Sequence, residues 1–325
     1  MRVKNQQELH KKNQSVELIL AELEQLLTGP NDTSISSQPN SDLPNIFVVG
    51  CARSGTTFLT QFLTDNLEVS YPSNFLSRFY YAPYIGSKIQ YLFSDLDQRN
   101  ELLGGLKEIN YKSNLGKTEG PLAPHEFWYF WRKIFGENQY GYIDQLNPDT
   151  LKQFHSGLDS IKQVFNKPLV LKGMIANPVL SQIVKPSRKD LIVYVKRDLT
   201  YNAQSILQAR KEYFGDINSW YSFKVPDKSF SDNPFEQVCQ QVKFTNEMIE
   251  KELAKLPKEN YHILDYDHLK TELPLLIDRL KNQCEIQSSK EINFETVKAS
   301  NKIQLAPLEW EQLQHFSKMI KTNNG

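Results

Sequence analysis

The stretch that most constrains this chain is Asn45-Ile-Phe-Val-Val-Gly-Cys-Ala-Arg-Ser-Gly-Thr-Thr-Phe-Leu59. A run of β-branched and aromatic residues, Ile46 to Val49, breaks at Gly50 and resumes near Thr56 as an apolar-periodic helix. It reads as buried strand, tight loop and helix. Such a loop aims backbone N–H groups at an anion, and the helix behind it adds the positive end of its dipole. The general nucleoside-triphosphate loop has the form G-x-x-x-x-G-K-[ST]. Gly50 and Gly55 keep that spacing, but Thr56 stands at the lysine position, which argues against ATP or GTP chemistry. The cation lies inside the loop instead, at Arg53, and Ser54, Thr56 and Thr57 add hydroxyl donors for a different phosphate-bearing ligand.

Composition limits the alternatives. The chain has 325 residues, 39% hydrophobic and 23% charged, enough for one large domain with appendages. Lys plus Arg and Asp plus Glu are both 38, so no overall field recruits nucleic acid or an anionic membrane. Any anion site is local. Cys51, Cys239 and Cys284 stand far apart, with no C-x-x-C pair and no metal-ligand spacing, which suits a reducing compartment. No run of about 18 apolar residues occurs and the first residues lack the apolar core of a signal peptide, so a cytoplasmic protein is expected.

Residues 1 to about 28 carry Val16, Ile19, Leu20, Leu23, Leu26 and Leu27 at spacings of three and four, which predicts an amphipathic helix. It either packs on its own domain or docks a partner or a second copy. Thr28-Gly29-Pro30 ends it, and a polar linker runs to residue 44, so the division expected is 1–44 for helix and linker and 45–325 for an α/β domain. The aromatic segment Tyr71 to Tyr84 holds one cation, Arg78, and its rings suit either a sugar-binding pocket or a core helix. In Thr118 to Arg132 two prolines precede a helix expected to begin near His125 and Glu126. Histidine titrates near neutrality and burial beside Phe127, Trp128 and Trp131 raises a glutamate, so either is a candidate base; a capping glutamate and a core histidine is the plainer reading.

A strand at Pro168–Lys172 is followed by a turn, Gly173 to Pro178, and a short helix, Val179 to Val184. Lys172 ends the strand and so falls at the carboxyl edge, where open parallel sheets bind ligands. Asp190 to Asp198 is the clearest buried strand; it ends in Lys196 and Arg197 and leads into a helix from Thr200 to Arg210. Helices over Asn233–Leu256 and Leu308–Ile320, and a strand and turn at Tyr261–Leu269, complete the pattern. Alternating strands and helices predict a phosphate-loop-like, mostly parallel sheet with helices on both faces.

Gly50 to Leu59 resembles the 5′-phosphosulfate loop of sulfotransferases that use 3′-phosphoadenosine-5′-phosphosulfate (PAPS), whose common form is Pro-Arg-Ser-Gly-Thr-Thr. Ala52 replaces the proline and removes no ligand group. The strand ending Arg197-Asp198, with Ser205 beyond it, is similar to the family's 3′-phosphate motif, and Tyr261 to Leu269 resembles its late Val-x-Tyr-Glu-Asp-Leu segment. The resemblance covers residues 45 to about 285. It implies sulfuryl transfer from PAPS to a hydroxyl without a metal, with Arg53, Ser54, Gly55, Thr56 and Thr57 on the phosphosulfate, Arg197 and Ser205 on the 3′-phosphate, and Lys172 at the transferring group.

Gly173 and Met174 stand where the small-molecule branch has Thr-His, and its late Arg-Lys-Gly triplet is missing. The chain is therefore more similar to the carbohydrate- and protein-modifying branches, and a glycan acceptor and a bacterial enzyme are expected. Their glutamate just after the loop is absent too, since none lies between Ser70 and Gln98. The base then falls to Glu126, His125 or Glu119. Two rival readings are a nucleotide-dependent phosphotransferase of the wider phosphate-loop group and a noncatalytic module that holds a nucleotide, a glycan or a partner protein.

Overall fold

The computed structural model describes residues 41–96 and 113–322, together with positions 14, 18, 21, 22, 24 and 25, which are helical. The rest of the helix expected over residues 1–28, and the linker up to residue 40, lie outside the described residues. Four strands form one parallel sheet: β1 (Asn45–Gly50), β4 (Leu169–Lys172), β5 (Leu191–Lys196) and β6 (Tyr261–Asp265), in the order β4-β1-β5-β6. A separate antiparallel hairpin joins β2 (Ser113–Asn114) to β3 (Lys117–Thr118).

The apolar runs follow from burial on both faces, since successive side chains of a strand point to opposite sides. Phe47 and Val49 enter one core with Phe130 and Trp131 of α3 (Trp128–Phe135) and Phe154 and Leu158 of α4 (Pro148–Phe165). Ile46 and Val48 enter the other with Leu59 and Leu63 of α1 (Thr56–Asn66) and Leu273 and Leu276 of α8 (Leu269–Cys284). A third cluster joins α6 (Leu199–Phe214), α7 (Pro234–Leu253) and α9 (Pro307–Thr322) through Ile206, Val238, Leu313 and Ile320. The remaining helices are α2 (Pro83–Tyr91) and α5 (Leu180–Ile183). No helix among the described residues is long and apolar enough to cross a membrane.

Register sets the site. Lys172 pairs with Val48 and Gly50 with Val195, so the ends of β4, β1 and β5 meet at one edge, with β4 on one side of β1 and β5 on the other. Crevices at that edge are where such sheets bind ligands.

Three boundaries differ from expectation. Helix α3 begins at Trp128 and not near His125 and Glu126, because Phe127 is left-handed, with φ 57°. Its ring is buried and stacks on Phe130 at 4.6 Å, and its N–H is held by His125. The turn after β4 is a 3-10 helix, Met174–Val179, with Pro178 inside it, and α5 follows as a single turn. The aromatic segment forms a 3-10 turn, Leu76–Phe79, ahead of α2.

Candidate active site

The loop between β1 and α1 is held by its carbonyl groups. Gly50 O accepts from Asn177 Nδ2 at 3.0 Å, Cys51 O from Ser54 N at 3.2 Å, Ala52 O from Asn202 Nδ2 at 2.7 Å and Arg53 O from Arg197 Nη1 at 3.0 Å. With these acceptors engaged, the loop's N–H groups other than that of Ser54 are what it offers a ligand. Helix α1 starts behind it with Gly55 as N-cap, no side-chain cap and no acidic residue in its first turn. Uncapped N–H groups and the helix dipole suit that terminus to an anion. Gly55 is required there: its φ is 109°, and an added Cβ would lie 2.3 Å from the Tyr266 ring. At Gly50 a Cβ would meet the Val195 carbonyl at 2.8 Å.

Two arginines flank the loop. Arg53 Nε donates to Ser205 Oγ at 3.2 Å. Asp198 caps α6 by accepting from Thr200 N and Tyr201 N, which fixes the start of the helix that carries Ser205 one turn further on. Arg197, just past the end of β5, gives Nε and Nη2 to Asn301 Oδ1 at 3.1 and 2.9 Å and Nη2 also to Ser300 O at 2.6 Å. Its guanidinium lies 5.0 Å from the centre of the Tyr266 ring. Burial lowers the Arg197 pKa, while Tyr266 and Asp267 act in the opposite sense. Asn301 is itself anchored, donating to Asp267 Oδ1 at 2.5 Å. Of the loop hydroxyls, Thr56 Oγ1 is directed to Met174 Sδ at 3.4 Å. Ser54 is 1% exposed and its Oγ is unpartnered among the described residues.

Lys172 is 5% exposed. Its Nζ donates to Thr57 Oγ1 at 2.8 Å and touches Glu126 Oε1. Burial, with Arg53 nearby, pushes Lys172 down to about 7; the Glu126 carboxylate in contact with it favours the ammonium and opposes that shift. His125 is arranged differently. Its Nδ1 accepts from Phe127 N at 2.9 Å, so the neutral ring carries its proton on Nε2 and has no free lone pair. Burial, then the charges of Arg78 and Lys172, push it down to about 4. Glu119 is exposed and lies outside the cleft. The hairpin tip covers the lysine: a Cβ on Gly116 would lie 3.4 Å from Thr57 Oγ1 and 3.5 Å from Lys172 Nζ, and Tyr221 Oη donates to Leu115 O at 3.3 Å.

These groups line one open cleft of about 2950 Å³ that continues past Phe75, Arg78, Trp128, Tyr129 and Trp220. Of the aromatic run 127–131, Phe127, Phe130 and Trp131 belong to the core, and only Trp128 and Tyr129 reach the cleft. Among the described residues no group of three or more His, Cys, Asp or Glu side chains could hold a metal ion. The cleft pairs a nest of N–H donors and cations with one carboxylate against a lysine, a donor set that fits a phosphate or sulfate ester placed next to a hydroxyl. Sequence reading did not single out Asn177, Asn202 or Asn301, and it placed Tyr266 in a turn without a role. Only Tyr266 carried a signal, in the late segment around it.

Fold and site together define an α/β protein with a parallel sheet whose first strand leads through a tight loop into an uncapped helix N-terminus. Within that class, the chain belongs to the sulfotransferase family: the model of the sulfotransferase domain matches residues 43–320. Among solved structures it is similar to sulfotransferase STF9 from Mycobacterium avium, at 11% identity and a TM-score of 0.55, over 98% of this chain and 79% of that one. Sulfotransferase STF1 from Mycobacterium tuberculosis H37Rv follows at 13% identity and a TM-score of 0.48, over 92% and 77%. No curated protein matches the chain. The family's reaction is sulfuryl transfer.

Proposed function

We propose that the protein transfers a sulfuryl group from PAPS to a hydroxyl of a glycan, with Glu126 as general base and Lys172 as the cation at the transferring group. What supports this most is the contact between the Lys172 ammonium and the Glu126 carboxylate beside the loop, with Thr57 Oγ1 on the same nitrogen. Bound PAPS supplies the sulfuryl group and a phosphate leaving group. The loop N–H groups, Arg53 and Thr57 hold its 5′ side, Gly55 and Thr56 contribute through the backbone, and Arg197 and Ser205 hold the 3′-phosphate. Ser54, enclosed in the loop, shapes it.

As the acceptor oxygen bonds to sulfur, the bond from sulfur to the phosphate oxygen breaks and negative charge moves onto that phosphate. Lys172, Arg53 and the loop amides are already in place to receive it, so little reorganisation is required. The acceptor proton goes to Glu126. His125 has no free lone pair for it and acts by holding the Phe127 turn, which positions Glu126. Trp128, Tyr129 and Trp220 line the cleft and add apolar ring surface against which a sugar packs. A cytoplasmic, reducing site of action belongs to the same reading and is supported by three free, buried cysteines.

Transfer of labelled sulfate from PAPS to a panel of glycans tests this. At a pH low enough to keep Lys172 charged, Glu126→Gln is expected to lower kcat by about a hundredfold or more, with the affinity for 3′-phosphoadenosine-5′-phosphate (PAP) retained there. A variant as fast as wild type contradicts the assignment.

A further inference from the structure

The cleft is more cationic than the chain that forms it. The protein has equal numbers of acidic and basic residues. Beyond Arg53, Lys172 and Arg197, however, the cleft is lined by Arg78, Lys117, Arg132 and Lys224, against Glu126 and Glu137 as the carboxylates among its described lining residues. Most of these cations have partners. Arg132 is paired with Glu137 at 2.7 Å and lies over Trp128 at 5.3 Å. Lys117 lies over Tyr213 at 6.0 Å and Lys224 over Trp220 at 5.6 Å. The Arg78 guanidinium has no hydrogen bond, ion pair or ring partner among the described residues, and it is exposed to the cleft.

Its platform is fixed. Arg78 belongs to the 3-10 turn Leu76–Phe79, where Leu76 N donates to Ser73 Oγ at 3.0 Å and Ser77 Oγ to Asn74 O at 2.8 Å. Asn74 Nδ2 reaches across to Gly120 O at 2.8 Å, which ties the turn to the segment leading to Glu126. His125 N donates to Pro72 O at 2.7 Å, which sets the segment carrying Glu126 beside the one that leads into the Arg78 turn, and Arg78, His125, Glu126 and Lys172 all line the same cleft. A molecule presenting its hydroxyl at Glu126 and Lys172 can therefore extend along this wall of the cleft to Arg78.

We infer that the acceptor is an acidic saccharide whose own anionic group, a carboxylate or a sulfate ester, is held by Arg78. This rests on the glycan reading above and narrows it. A guanidinium fork matches the two oxygens of either group, and a charge-assisted pair in a partly desolvated cleft is stronger than a neutral hydrogen bond. Arg78 so placed recognises the acceptor and takes no part in the bond changes.

The test is a titration of the protein, with and without PAP, against a glucuronate-containing oligosaccharide, its carboxyl-reduced counterpart and an O-sulfated form of the reduced one. At least one anionic probe should bind about tenfold or more tighter than the neutral one. Arg78→Ala should abolish that preference while leaving PAP affinity unchanged, and Arg78→Lys should restore part of it. The inference is overturned if all three probes bind equally, if none binds, or if Arg78→Ala keeps the preference. An Arg78-dependent preference without sulfuryl transfer onto any probe supports the anion site and counts against the glycan activity itself. Which anionic probe responds shows whether the group is a carboxylate or a sulfate.

Discussion

At the scale of single residues, Lys172 and Glu126 depend on each other. A lysine carries its charge below its pKa, and burial has brought that of Lys172 down to about 7. With Glu126 present the ammonium is held to higher pH. In Glu126→Gln its charge should be lost at lower pH than in wild type, where it is lost as pH rises through about 7, so PAP affinity should weaken at lower pH in the variant than in wild type. Calorimetry across pH measures this, and superimposable profiles would contradict it. His125→Ala should behave otherwise: the Phe127 N–H loses its acceptor, at a cost of about 1–3 kcal/mol in unfolding free energy. Turnover should fall less than tenfold or so, well short of a general base's contribution. A loss equal to that of Glu126→Gln would return His125 to the role of base. Lys172 was legible from the end of an apolar strand alone. The ground for proposing Glu126 over His125 was not, because it lies in one hydrogen bond at a left-handed residue that no periodicity announces.

Among elements, the loop is rigid because its acceptors are held from three directions: Asn177 after β4, Asn202 in α6 and Arg197 at the end of β5. Asn202→Ala should leave the Ala52 carbonyl buried and unpaired, destabilise the fold by about 1–3 kcal/mol, and weaken PAP binding without touching the ligand. Chemical denaturation and calorimetry read the two effects separately. Gly55→Ala faces both backbone strain and the Tyr266 ring. Adding Tyr266→Ala should recover part of the lost stability but not all, and full recovery would mean that φ is not the constraint. Glycine spacing and hydroxyl content made the loop readable as a motif. The asparagines behind it were not, since a buried anchor needs no spacing relative to the loop, only a place in space.

For the molecule as a whole, the order of strands and helices was legible because both faces of the sheet are covered, which makes its strands short apolar runs between helical patterns. Contacts closing the pocket from the end of the chain were not. Arg197 meets Asn301 and Ser300 more than a hundred positions away, and α9 holds that segment's continuation through Thr200 Oγ1 to Ser317 Oγ at 2.7 Å and Lys321 to Asp198 at 2.8 Å. A chain cut before Ser300 should lose both the apolar contacts of Leu313 and Ile320 and the hold on Arg197, and so should melt lower and bind PAP more weakly. The central claim is that the crevice at the ends of β4, β1 and β5 is a PAPS site, and calorimetric titration of PAP beside ATP, on wild type and Arg53→Ala, tests it most directly. PAP should bind at least about a hundredfold more tightly than ATP, equivalent to about 2.7 kcal/mol, and Arg53→Ala should lose most of that binding. No binding of PAP, or equal binding of ATP, would contradict the account.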